Sequence, residues 1–139
     1  MGYALGCAFN NYYIQQFGVG IILRLRLSTS GYNYSHNRCV DIVEWFVNEY
    51  LSPYKLEINV HHRRLVKRDG VFGWAWISGC ESKPREFEVE IHNLMNVEDY
   101  TKTLLHELWH VYQHVKSIVL CEDEAYKMEE VLYEEYTKA

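Results

Sequence analysis

The sequence predicts a single α+β domain: a helix, three short strands in a small, mainly antiparallel sheet, a long amphipathic helix and a closing acidic helix. Three observations carry this. Apolar residues recur at helical spacing over two stretches, Val40–Tyr50 and Leu104–Val119. Between those stretches they alternate with a period of two in three short runs. The chain has 139 residues, enough for one core. The domain is expected to span residues 35–139, with residues 1–34 a poorly defined N-terminal arm.

Within that arm Tyr, Asn, Gln and Gly dominate, although Gly18–Leu27 has a strand-like alternation of Ile21, Leu23, Leu25 and Leu27. Ser35 or Asn37 can cap the first helix, which carries Val40, Ile42, Val43, Trp45, Phe46, Val47 and Tyr50 and is stopped by Ser52-Pro53. Leu56, Ile58 and Val60 alternate with polar neighbours over Lys55–His61, a half-buried strand. Arg68-Asp-Gly70 reads as the turn of a hairpin leading to an aromatic strand, Val71–Ser78. A polar loop, Gly79–Pro84, precedes the third strand, Glu86–His92, with Phe87, Val89 and Ile91 on one face. Asn96 is placed to cap the long helix, with Glu98 and Asp99 favourable in its first turn. The last helix is expected over about residues 122–136.

The long helix contains His106-Glu107-Leu108-Trp109-His110. On a helix, residues four apart lie about 40° apart around the axis and one turn apart along it. Two imidazoles so placed can share one tetrahedral Zn²⁺. Glu107 is rotated about 100° from His106, where it can take a proton from an activated water without being a ligand. That is the chemistry of the HExxH motif. His106 and His110 are therefore candidate zinc ligands, and Glu107 a candidate general base.

A catalytic zinc site takes three protein ligands and leaves a position open. His114 extends the ladder, but lies about 12 Å from His106 along the axis and is better placed to flank the site. No glycine turn follows that would supply a third His of the metzincin kind. The acidic helix offers Glu122, Asp123 and Glu124 at a distance that allows the chain to fold back. Glu124, followed by the small Ala125, is favoured as third ligand, with Glu122 next. Glu129, Glu130, Glu134 and Glu135 are assigned to a solvated face.

The remaining features mostly exclude. Net charge is −5, with no acid in residues 1–35 and seven acids after Lys116. This is not the profile of a general nucleic-acid binder. The basic run from His61 to Arg68 is the exception, and a solvated hairpin face accounts for it. Four scattered cysteines form no CxxC pair, so reduced thiols in the cytoplasm are expected. Met1–Cys7 lacks a basic secretory leader, and Gly6 stands where a myristoylation signal needs Ser or Thr. Gly18–Leu23 is too short to span a bilayer, so no membrane association is expected.

HExxH followed by a Glu-bearing helix resembles the gluzincin group of zincin-like metallopeptidases. The lead-in, with Gly73-Trp-Ala-Trp and then Phe-Glu-Val-Glu-Ile-His-Asn, resembles the SprT-like domain plan. His-Glu-Leu-Trp-His-Val-Tyr-Gln with Glu-Asp-Glu-Ala-Tyr is similar to small metallopeptidases carried by bacteriophages, which would place the protein in a host cytoplasm. The resemblance covers about residues 36–136. It implies zinc bound by His106, His110 and Glu124, with Glu107 as base. SprT-like proteins generally use a further His, which this tail lacks. The family also implies a cleft bordered by a sheet edge, for which Glu86–His92 is the candidate.

The expected function is thus zinc-dependent hydrolysis of a protein or peptide substrate, with His92, His114, Tyr126 and Tyr133 as candidates to stabilise the oxyanion. One rival is a non-catalytic domain in which zinc is a structural staple. Another is a DNA-associated protein using Arg63, Arg64, Lys67 and Arg68 beside the aromatic strand.

Overall fold

The computed structural model describes residues 9–18, 21–33, 35–66 and 70–139. The readings of Met1–Cys7 and of Lys67, Arg68 and Asp69 lie outside them. Five strands form one mixed sheet: β1 (Phe9–Gly18), β2 (Ile21–Gly31), β3 (Lys55–Arg63), β4 (Gly73–Ile77) and β5 (Glu86–His92), in the order β1-β2-β3-β5-β4. The helices are α1 (His36–Phe46), extended by a π-type turn (Val47–Leu51), α2 (Val97–Val115) and α3 (Glu122–Lys138). None is long and apolar enough to cross a membrane.

The three expected strands are present, but their pairing is not that of an antiparallel three-stranded sheet. β3 pairs in parallel with both β2 and β5, while β4 pairs antiparallel with β5 at the edge. The expected β3–β4 hairpin therefore does not form. Leu65, 0% exposed, plugs the connection, and Gly70 N–H turns back onto the Leu65 and Val66 carbonyls at 3.0 and 3.1 Å. This local closure carries the chain past the neighbouring position, which β5 then fills. Burial agrees: Phe87, Val89, Glu90, Ile91 and His92 are all buried in β5, whereas Trp74 and Trp76 of β4 are exposed. With both of its edges paired, β5 has none left for a bound peptide.

The described part of residues 1–34 is not a loose arm. β2 registers Leu25 with Leu56, Leu27 with Ile58 and Thr29 with Val60. Leu25, Leu27 and Thr29 are buried, so the domain begins well before residue 35. A parallel neighbour must come from a crossover connection, and α1 supplies it between β2 and β3. Ser35 is its cap, accepting the Arg38 N–H at 3.1 Å.

All three helices lie in layers on one face of the sheet. Ile42, Val43 and Phe46 of α1 and Leu104, Leu105, Leu108 and Val111 of α2 meet Ile58, Val60, Phe87, Val89 and Ile91. α3 covers α2 through Ala125 and Leu132, both 0% exposed. Gly73 brings β4 hard against α2: a Cβ there would lie 3.1 Å from the Glu90 carbonyl oxygen and 3.2 Å from the Thr103 methyl. The edge strand and the motif helix are thereby held side by side.

Between the sheet and α2, His62 Nδ1–H donates to the Ser30 carbonyl at 2.9 Å, and the Tyr100 hydroxyl donates to Nε2 at 2.8 Å. Burial pushes this imidazole from its ordinary value of 6.5 down to about 4. Its folded value lies below its unfolded one, so protonation favours the unfolded chain. The associated stability is complete above pH 6.5 and is lost as pH falls towards 4. Unfolding by denaturant at pH 7 and pH 4.5 is expected to differ by about 2–3 kcal/mol from this group. In His62→Gln that difference should shrink by the same amount; an unchanged difference would assign the pH dependence to other groups.

Candidate metal centre

α2 starts where its cap allows: the Asn96 side chain accepts the Asp99 N–H at 2.8 Å. Its apolar stripe docks on the sheet, which turns His106, Glu107 and His110 towards β4. The two imidazole centroids lie 5.1 Å apart. α2 ends at Val115, and Ser117 just beyond it has a φ of 57°, in the left-handed region. The Ile118 N–H closes the turn on the Gln113 carbonyl at 3.0 Å. The chain then reverses. Cys121 Sγ caps α3 by accepting the Glu124 N–H at 3.4 Å, and Ala125 lets the two helices approach.

This hairpin brings the Glu122 carboxylate to the His pair. His106 Nε2 lies 2.5 Å from one Glu122 oxygen, and His110 Nε2 lies 3.4 Å from the other. One ligand atom from each of His106, His110 and Glu122 falls within 4.8 Å of the others, a group that could hold a metal ion. Of the two acids weighed from sequence, Glu122 is the one placed here. Glu124 points to the other side of α3, where its Oε1 accepts from Trp109 Nε1 at 2.8 Å and from Gln113 Nε2 at 3.0 Å. A helix separates positions two apart by about 200°, so one orientation of α3 cannot present both.

The donor set fits a divalent cation. Glu129, assigned from sequence to a solvated face, accepts from His106 Nδ1 at 2.8 Å. His106 thus has a carboxylate at each ring nitrogen, Glu129 at Nδ1 and Glu122 at Nε2. His110 Nδ1 lies 2.7 Å from Gln113 Oε1. Both rings are held through Nδ1, the usual support of metal-ligating imidazoles, and both turn Nε2 to Glu122. The sequence carried signals for these partners: Gln113 follows His110 by three positions, and Glu129 follows Glu122 by seven. Each pair shares a helix face.

Glu107 is buried on the same wall. Burial, reinforced by the nearby Glu122 and Glu129, pushes its carboxyl up to about 7 against the opposing pull of His106 and His110. Positive charge held among these groups would draw it down again. The cleft they line has a volume of about 700 Å³; its opposite wall is β4 with Phe72, Gly73, Trp74 and Ala75, and no Lys or Arg lines it among the described residues. His114 and Tyr126 also line it, with the Tyr126 ring 4.6 Å from that of His106. His92 and Tyr133 do not: His92 accepts the Val66 N–H at 3.3 Å, and Tyr133 lies beneath Lys102.

The basic run offers no continuous charged face over its described residues. His61 pairs with Glu88 and Arg63 with Glu90, each at 2.7 Å, and His62 is buried. Compared with known proteins, the chain matches no family model, no curated protein and no solved structure.

Proposed function

We propose that the protein is a zinc-dependent metallopeptidase of the zincin-like, gluzincin kind, with His106, His110 and Glu122 as ligands and Glu107 as general base. The observation that carries this reading is the convergence of three metal donors and a buried carboxylate on one wall of a cleft whose other wall is a sheet edge. A purely structural metal site needs neither the extra acid nor the open space beside it.

A zinc ion, when bound, supplies Lewis-acid activation, making water a stronger acid and a peptide carbonyl more electrophilic. The rest is the work of the chain. The free edge of β4 offers backbone N–H and C=O groups on which a substrate lies as an added antiparallel strand. Glu107 takes a proton from the attacking water as the C–O bond forms, and delivers it to the amide nitrogen as the C–N bond breaks. Tyr126 and His114, on the cleft wall, are the donors available to the developing oxyanion. Burial, with His110 nearby, holds the His114 imidazole below its ordinary value. A reducing cytoplasm, including that of a phage-infected host, suits the free thiols of Cys39, Cys80 and Cys121.

The test is metal content by elemental mass spectrometry, followed by cleavage of an unbiased peptide library. About one zinc per chain, with cleavage abolished by chelation and restored by zinc, is the expected result. Failure to take up zinc after incubation would remove the reading altogether.

A further inference from the structure

Behind His110 lies the buried amide of Gln113, 0% exposed, and behind that the carboxylate of Glu124. We infer that Glu124 is a positioning residue, acting through Gln113 to hold His110 with its proton on Nδ1 and its lone pair on Nε2, the nitrogen turned to Glu122. This rests on the metal-centre reading above.

The argument is one of donors and acceptors. Gln113 Nε2 lies 3.0 Å from Glu124 Oε1 and 3.3 Å from the Cys121 carbonyl oxygen. Both partners are acceptors only, so the NH₂ end of the amide must face them. The amide oxygen then faces His110 Nδ1 at 2.7 Å. It has no hydrogen to offer, so Nδ1 must donate. A neutral imidazole carries one proton; the Gln113 oxygen at 2.7 Å holds it on Nδ1 against the Glu122 oxygens, which lie 3.4 Å from Nε2, and Nε2 is left bare and able to bind a metal. Glu124 is itself anchored by Trp109 Nε1–H at 2.8 Å, and Trp109 stacks on Tyr112 with centroids 4.3 Å apart. With Glu124 gone, the Gln113 amide loses the acceptor that best opposes its reversal. The reversed amide would favour a proton on Nε2.

Two measurements test this on the full chain. Two-bond ¹H–¹⁵N spectra of the zinc-free protein report the His110 tautomer, and competition with a chromophoric chelator reports zinc affinity. Wild type should show the Nδ1–H form. Glu124→Ala should mix the tautomers and weaken zinc binding about 10-fold, and Gln113→Leu by about 10–100-fold, the range for outer partners of metal-bound His. Glu124→Gln should restore both readouts, because a single oxygen of Glu124 takes both hydrogen bonds and an amide oxygen can replace it. An Nε2–H form in wild type would overturn the inference. So would unchanged tautomer and affinity in folded Glu124→Ala. If wild type binds no zinc, the metal-centre reading falls, while the tautomer measured without metal still decides the role of Glu124.

Discussion

Glu107→Gln is expected to lower peptide hydrolysis by about 10²–10⁴-fold while leaving zinc content unchanged. The substitution keeps the shape of a side chain that is buried in the cleft wall, so the fold has little reason to respond. An amide cannot accept the proton that an attacking water must lose. Because Glu107 is outside the donor group formed by His106, His110 and Glu122, the metal should stay. Zinc content and turnover of a cleaved library peptide, measured on the same preparation, check both halves. Full activity in the variant would remove Glu107 from the mechanism. Loss of zinc along with activity would mean that the carboxylate serves as a ligand instead.

Glu122→Ala should strip the metal. It leaves two imidazoles facing an open cleft, one donor short of the three protein ligands a catalytic zinc requires. Its side chain is 62% exposed, and exposed substitutions of this kind usually move stability by no more than about 0.5 kcal/mol. Loss of zinc would therefore report on coordination and not on unfolding. After dialysis, zinc should fall from about one per chain to below about a tenth; His110→Ala should behave alike. Glu124→Ala should retain the metal with weakened affinity. Retention by Glu122→Ala with complete loss in Glu124→Ala would return the ligand role to Glu124.

The motif helix was legible because its cap, period and His spacing are all local. Asn96, Leu104, Leu105 and Leu108 lie within one segment and constrain each other. β1 and the Ser28–Gly31 end of β2 lack a clean apolar alternation and were not read as strand, whereas the positions of β3, β4 and β5 were legible for the same reason as the motif helix. Strand neighbours were not: alternation in Leu56–Val60 and Phe87–Ile91 states which residues face the core, but not which edge meets which strand. The choice between Glu122 and Glu124 depended on how α3 is rolled against α2. Ala125 and Leu132 decide that, seven residues apart on one stripe, with Glu122 and Glu129 along its flank. Their short, sparse apolar pattern is a weak signal in a helix otherwise rich in acids. Gln113 was passed over because an amide in an apolar stripe has no chemical signature until its partners are known.

Every proposed donor, supporting partner and base lies in the hairpin of α2 and α3, whereas the sheet joins residues far apart in the chain, as in the pairing of Leu27 with Ile58. The two halves of the cleft therefore have different folding economies. Bringing Glu122 to His110 closes a short loop at small entropic cost. The parallel pairings of β2, β3 and β5 must close long ones before any contact repays them, and such topologies fold slowly. The proposed metal-binding wall is kinetically local; the opposite wall, although β4 and β5 pair as a hairpin of their own, joins the sheet only through the long-range pairing of β5 with β3. Capacity to bind the ion should then precede capacity to bind a peptide during refolding.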